Sequence, residues 1–96
     1  MGKPAGRIGD KHSGHSCFPP TPLVSGSNNV MTNKKPAMRQ GDKFSPHCCG
    51  PSCHGVVLAK GSSTVIINGR QAGRIGDPTA CGARVISGSG NVLIGG

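Results

Sequence analysis

Gly61-Ser62-Ser63-Thr64-Val65-Ile66-Ile67-Asn68-Gly69-Arg70-Gln71-Ala72-Gly73-Arg74-Ile75-Gly76-Asp77 decides the fold, because the chain repeats its outline. Gly26-Ser27-Asn28-Asn29-Val30-Met31-Thr32-Asn33-Lys34-Lys35-Pro36-Ala37-Met38-Arg39-Gln40-Gly41-Asp42 follows the same order of residue types. In both blocks the Gly-Ser glycine precedes the Gly-Asp glycine by 15 positions. A third copy is split between the two ends of the chain. Gly88-Ser89-Gly90-Asn91-Val92-Leu93-Ile94-Gly95-Gly96 supplies its first half and Gly2-Lys3-Pro4-Ala5-Gly6-Arg7-Ile8-Gly9-Asp10 its second. Repetition at a fixed period signals stacked or ring-like units that cannot bury their apolar faces alone.

Each block carries a short β-branched run, Val65-Ile66-Ile67, Val92-Leu93-Ile94 or the weaker Val30-Met31-Thr32. A turn of Asn-Gly type follows at Asn68-Gly69, with Asn33-Lys34 in the middle block, and then a second short strand. Isolated hairpins are unstable, so three of them around an axis, burying Val, Ile and Ala positions, is the economical arrangement. The reading is therefore an all-β, pseudo-threefold ring of β-hairpins with adjacent termini and no helix of note. It forms one domain over residues 1–96, from blocks 26–42, 61–77 and 88–96 completed by 2–10. The Val, Leu and Ile runs serve as core or as a docking base.

Composition agrees with a small chain that needs help to stay folded. Its 96 residues include 17 Gly, 8 Pro and 2 Phe, with neither Trp nor Tyr, so no bulky aromatic core is available. Eleven Lys and Arg stand against three acids, a formal charge of +8, which favours an anionic partner or surface. The acids are Asp10, Asp42 and Asp77, and each closes the same pattern begun by Arg7, Arg39 or Arg74. They read as turn-forming structural residues tied to their arginines, which leaves no carboxylate pair for hydrolysis. No apolar stretch resembles a signal peptide or a membrane span, so synthesis in a reducing cytoplasm without a leader is expected. Five Cys, with Cys48 beside Cys49, do not read as a disulfide framework.

All four His and all five Cys fall in the connectors between blocks. The first holds His12, His15 and Cys17, the second His47, Cys48, Cys49, Cys53 and His54, and the third only Cys81. In a ring of hairpins the three connectors leave from one end, so these side chains converge. Imidazole and thiolate donors suit a tetrahedral, structural zinc. A site drawing on every connector must use Cys81; His47 and His54 bracket the longest connector, and His15 lies further from its Gly-Asp corner than His12. The candidate set is His15, His47, His54 and Cys81. Cys17, Cys48, Cys49 and Cys53 could replace a His, form a second weak site, or oxidise outside the cytoplasm. Iron is the alternative ion.

The elements Lys3-Pro4-Ala5-Gly6-Arg7, Lys35-Pro36-Ala37-Met38-Arg39 and Arg70-Gln71-Ala72-Gly73-Arg74, each followed by Gly-Asp, resemble the proline–alanine–alanine–arginine (PAAR) repeat family. Gly14-His15-Ser16-Cys17-Phe18-Pro19-Pro20, Pro46-His47-Cys48 and Cys53-His54-Gly55 are similar to one branch of it. The third position of the element is Gly6, Met38 or Gly73, and Gln71 replaces Pro in the last copy, departures that small residues should tolerate. The resemblance implies a conical β-structure capping a trimeric β-helical spike of a contractile injection machine, a type VI secretion system or a phage tail. It implies a zinc held by three His and one Cys, carried over to His15, His47, His54 and Cys81. It also implies cargo effectors and transient contact with a target membrane, on a particle assembled outside its place of synthesis. One copy with three near-equivalent sides would cover one threefold spike end.

Two rival readings are weaker on the residues. A basic zinc-containing nucleic-acid module fits the charge, but no Tyr or Trp is present for stacking and no paired Cys-x-x-Cys motif exists. A small metalloenzyme would need an open coordination position and a free acid or base. The chain is therefore expected not to be an enzyme and not to bind nucleic acid.

Overall fold

Alternation within very short strands explains which half of each apolar run is buried. The computed structural model describes residues 2–96. Strand β2 (Met31–Thr32) pairs with β3 (Lys35–Pro36), and β6 (Ile66–Ile67) pairs with β7 (Arg70–Gln71). The third hairpin joins the chain's ends, β1 (Lys3–Pro4) against β8 (Leu93–Ile94). Successive side chains of a strand point to opposite faces. Thr32 and Ile67 are accordingly buried and Ile94 half-buried, while Met31, Ile66 and Leu93 are 54%, 55% and 63% exposed. The expectation that the Val, Ile and Ala positions together fill the core needs correction here, because Val30, Val65 and Val92 also face outward.

The turns match their residue types. Asn33 and Lys34 have φ of 53° and 66°, and Asn68 and Gly69 have 53° and 77°. Both central residues are left-handed, as a tight two-residue hairpin requires.

Behind the hairpins the backbone closes a ring. Gly6 N–H donates to Gly73 O at 2.9 Å, Gly73 N–H to Met38 O at 2.9 Å, and Met38 N–H to Gly6 O at 3.0 Å. Bridges Ala5↔Arg74, Arg7↔Ala37 and Arg39↔Ala72 surround it with the same threefold relation. Ala5, Ala37 and Ala72 are fully enclosed, and Ala37, Ala72, Ile67 and half-buried Ile94 form one apolar layer. The axis also explains which residues stand at the third position of the repeated element. A Cβ on Gly6 would lie 2.6 Å from Met38 Sδ and one on Gly73 2.5 Å from Met38 Cγ, so a single methionine occupies the space that two glycines vacate.

The same arginine–aspartate grip holds each Gly-Asp corner. Arg7, Arg39 and Arg74 donate backbone N–H to Oδ2 of Asp10, Asp42 and Asp77 at 2.8, 2.7 and 2.8 Å. The guanidiniums grip the same carboxylates, with closest N···O distances of 2.9 Å in all three pairs. Each Nη1 then reaches the next hairpin, at Asn33 Oδ1, Asn68 Oδ1 or Gly95 O.

Beyond the corners, Leu23, Leu58 and Val85 occupy equivalent places, their carbonyls accepting from Gly9, Gly41 and Gly76 N–H. With Met38, Phe44 and Val56 they make the main core. The connectors thus supply most of the large buried apolar side chains.

The second connector is not slack chain. It forms the longest paired element, β4 (Lys43–Cys49) against β5 (Ser52–Val57). Register shifts between Phe44↔Val56 and His47↔His54, so Ser45 and Pro46 face the single residue Gly55. This bulge turns residues three apart to one side, and Phe44 and His47 are both 2% exposed. Pro46, lacking an N–H, suits the unpaired position. Among the described residues there is no helix.

Candidate metal centre

His15 stands at the edge of a two-residue turn. His15 N–H donates to Phe18 O and Phe18 N–H to His15 O, at 3.1 and 2.8 Å, and Ser16 takes φ of 50°. Gly14 (φ 72°) must lack a side chain, because a Cβ would sit 2.5 Å from the Phe18 carbonyl oxygen. His47 and His54 are direct cross-strand partners on β4 and β5. Cys81 lies on the third connector in a turn where Gly82 N–H donates to Thr79 O and Gly82 has φ of 94°. The structure brings donor atoms of His15, His47, His54 and Cys81 within 4.8 Å of one another.

Hydrogen bonds orient these groups. A carbonyl can only accept, so His47 Nδ1–H donates to Pro19 O at 3.0 Å. That leaves the His47 Nε2 lone pair aimed into the cluster, 2.7 Å from His54 Nε2. Thr79 Oγ1 accepts from Ala83 N–H at 3.0 Å and lies 3.2 Å from Cys81 Sγ, placed to donate its hydroxyl proton to a thiolate. Buried His15 Nε2 has no hydrogen-bond partner. An orphaned imidazole nitrogen beside two others and a thiol fits a cation with three nitrogen donors and one sulfur. The His54 pKa is lowered by desolvation first and by the charges of His47 and His15 second. The ring of Phe18 packs 5.0, 4.8 and 4.5 Å from those of His15, His47 and His54, an apolar wall over the donors.

His12 is held away from the cluster's chemistry. It is fully buried, its Nδ1 accepts from Gly14 N–H at 2.8 Å, and its Nε2–H donates to Thr21 Oγ1 at 2.8 Å. Thr21 in turn donates to Ser45 O, so both ring nitrogens are occupied. Its pKa falls to about 4, by desolvation first and then by His47 and His15, which keeps it neutral.

The cysteines differ from expectation. Cys17 is bonded to Cys49 and Cys48 to Cys53, leaving Cys81 free. The reading of no disulfide framework fails because the hairpin makes Cys48 and Cys53 opposite residues, with Cα atoms 4.1 Å apart. Neighbours Cys48 and Cys49 point to opposite faces, and Cys49 reaches the His15 turn instead. Placement of Cys48 and Cys53 at equal distances from Gly50-Pro51 is the signal that could have shown it. Phe18 and Thr79 also escaped the sequence reading; only proximity to His15 and Cys81 hints at them.

A closed all-β repeat with a His/Cys group able to bind a metal is the class of protein defined so far. Residues 1–50 and 13–87 each match the sequence profile of the PAAR motif family, and the chain belongs to that family. Two toxins of Pseudomonas aeruginosa are similar to it, the NAD(P)(+) glycohydrolase toxin Tse6 and the (p)ppApp synthetase toxin Tas1. Each is 45% identical over 80 residues, covering 77% of this chain. The chain spans only 19% and 18% of their lengths.

Proposed function

We propose that the protein is a metal-stabilised tip that caps the blunt end of a trimeric β-helical spike in a type VI secretion system or phage tail. The observation that carries this reading is the threefold set of exposed apolar side chains Met31, Ile66 and Leu93, flanked by Val30, Val65 and Val92, on three equivalent hairpins. A trimeric β-helix ends in unpaired strand edges, and a single chain with three similar faces can cover that end once. The hairpins pack on the alanine layer, whereas Cys81 packs on the main core formed with the connectors, so docking base and metal cluster belong to different layers.

His15, His47, His54 and Cys81 would hold the ion, with zinc the best match to the donor set. A bound zinc supplies cross-linking of three connectors and no reaction chemistry, since four donors close its shell. The chain's own part is to fix the donors: Pro19 O orients His47, Thr79 orients Cys81, and the disulfide Cys17–Cys49 ties the His15 turn to β4. Because the relatives are toxins, delivery of a bound or fused effector is part of the same reading, and the domain itself has a structural role. Native mass spectrometry with a trimeric spike should give one copy per three spike chains. Met31→Asp/Ile66→Asp/Leu93→Asp should abolish the complex without lowering the melting temperature. Undiminished binding by that variant, or three copies per trimer, would overturn the proposal.

A further inference from the structure

The three Gly-Asp corners are not identical, and the odd one opens a basic cleft. At the first, Ser87 Oγ donates to Asp10 Oδ1 at 3.1 Å and accepts Lys11 N–H at 3.0 Å. At the second, Ser25 Oγ donates to Asp42 Oδ1 at 3.2 Å and accepts Lys43 N–H at 2.8 Å. A serine directly before the Gly-Ser pair thus clasps the Gly-Asp corner that closes the block it opens. At the third corner both halves of the clasp are replaced. Lys60 precedes Gly61-Ser62 where the other blocks have serine, and Pro78, which has no N–H, follows Asp77.

A cleft of about 420 Å³ lies where that clasp would be, lined among others by Lys3, Lys60, Arg74, Asp77 and Arg84. Arg74 is committed to Asp77. Lys3, Lys60 and Arg84 take part in no ion pair among the described residues. Arg84 is held at the wall by Nη1 donating to Gly76 O at 2.9 Å. Gly96 also borders the cleft, and Asp77 is the one acidic side chain in its lining, so the lining side chains are net positive. Three unpaired cations around one concavity call for an anion of more than one charge, with several acceptor oxygens. The volume falls within the range of small-ligand sites.

We infer that this corner is a binding site for a phosphate-bearing anion of about diphosphate size, created by the paired replacement of the serine clasp by Lys60 and Pro78. None of His15, His47, His54 and Cys81 lines the cleft, and the inference does not depend on the spike-tip reading. Calorimetric titration of the metal-loaded chain with inorganic pyrophosphate tests it. Lys60→Ser/Pro78→Ala restores the clasp's hydroxyl and N–H, and should weaken pyrophosphate at least about tenfold with the melting temperature preserved. Lys43→Ala removes a cation from a closed corner and should change affinity less than about twofold; Lys3→Ser serves as a second cleft variant, needing no backbone change. Flotation with phosphatidylcholine vesicles, with and without phosphatidylglycerol, distinguishes the source. Vesicle binding sensitive to the same variants assigns a lipid headgroup, and pyrophosphate binding alone assigns a soluble phosphate compound. Failure of the wild type to bind either probe, or equal weakening by Lys43→Ala, would overturn the inference.

Discussion

Replacing Gly6 by alanine should destabilise the wild-type chain yet stabilise one that already carries Met38→Ala. The new Cβ would fall 2.6 Å from Met38 Sδ and 2.8 Å from Cε, inside contact distance at a site where Met38 is fully buried. Overpacking of this kind costs about 1–3 kcal/mol. Met38→Ala alone leaves a cavity on the axis and should cost about 2–5 kcal/mol. Met38→Ala removes the two closest of these contacts, Sδ and Cε, and leaves the Met38 Cβ 3.1 Å from the added methyl, a distance that a shift of a few tenths of an ångström relieves. Gly6 does not have a positive φ, so alanine there restricts the unfolded chain and gains about 0.4–1 kcal/mol. The two positions should therefore couple by about 1.5–4 kcal/mol, well outside the scatter of independent sites. Urea denaturation of the two single variants, the double variant and wild type, all metal-saturated, measures the cycle. If Gly6→Ala costs the same in both backgrounds, the axial methionine does not fill the space of the missing side chains.

Four further outcomes are expected. Cys81→Ser and His54→Ala should each lower bound metal by elemental analysis and lower the melting temperature; unchanged values in both would remove the site assignment. Cys17→Ser/Cys49→Ser opens a link of 32 residues and should cost about 3.7 kcal/mol by chain entropy, against about 2 kcal/mol for Cys48→Ser/Cys53→Ser across 5, and thermal melts in oxidising buffer would expose a reversed order. Arg74→Ala should cost about 3–5 kcal/mol in denaturant titration, because Arg74 and Asp77 are 5% and 6% exposed, and more than Arg7→Ala, whose side chain is 14% exposed; equal costs would refute the ranking. His12, with its folded pKa lowered to about 4, binds protons more readily unfolded, so stability present above pH 6.5 is lost as pH falls towards 4, and His12→Gln should flatten that slope in chemical denaturation.

Local chemistry carries the repeat. Asn68-Gly69 and Asn33-Lys34 announce left-handed turns, each Arg-x-Gly-Asp announces a corner, and the split third block implies that the ends pair, as β1 and β8 do. The second connector hid its structure because the bulge at Ser45-Pro46 breaks the alternation that marks a strand. Leu23, Leu58 and Val85 stand as solitary apolar residues in irregular segments, and their burial follows from the threefold closure rather than from any local period. For the cluster, counting one connector against another selects His15, His47, His54 and Cys81, and the donor atoms of those residues are neighbours in space. The supports from Pro19 O and Thr79 depend on contacts between connectors, which no run of residues encodes.

Pairing of the chain's two ends inside one of three sister hairpins makes the position of the break a matter of choice. A circular permutant that bridges Gly96 to the N-terminal segment with a short turn, and opens the backbone between Asn33 and Lys34 instead, keeps every ladder and corner described above. Fusions could then be grafted at a different azimuth around the axis, which would turn an accident of connectivity into an engineering handle.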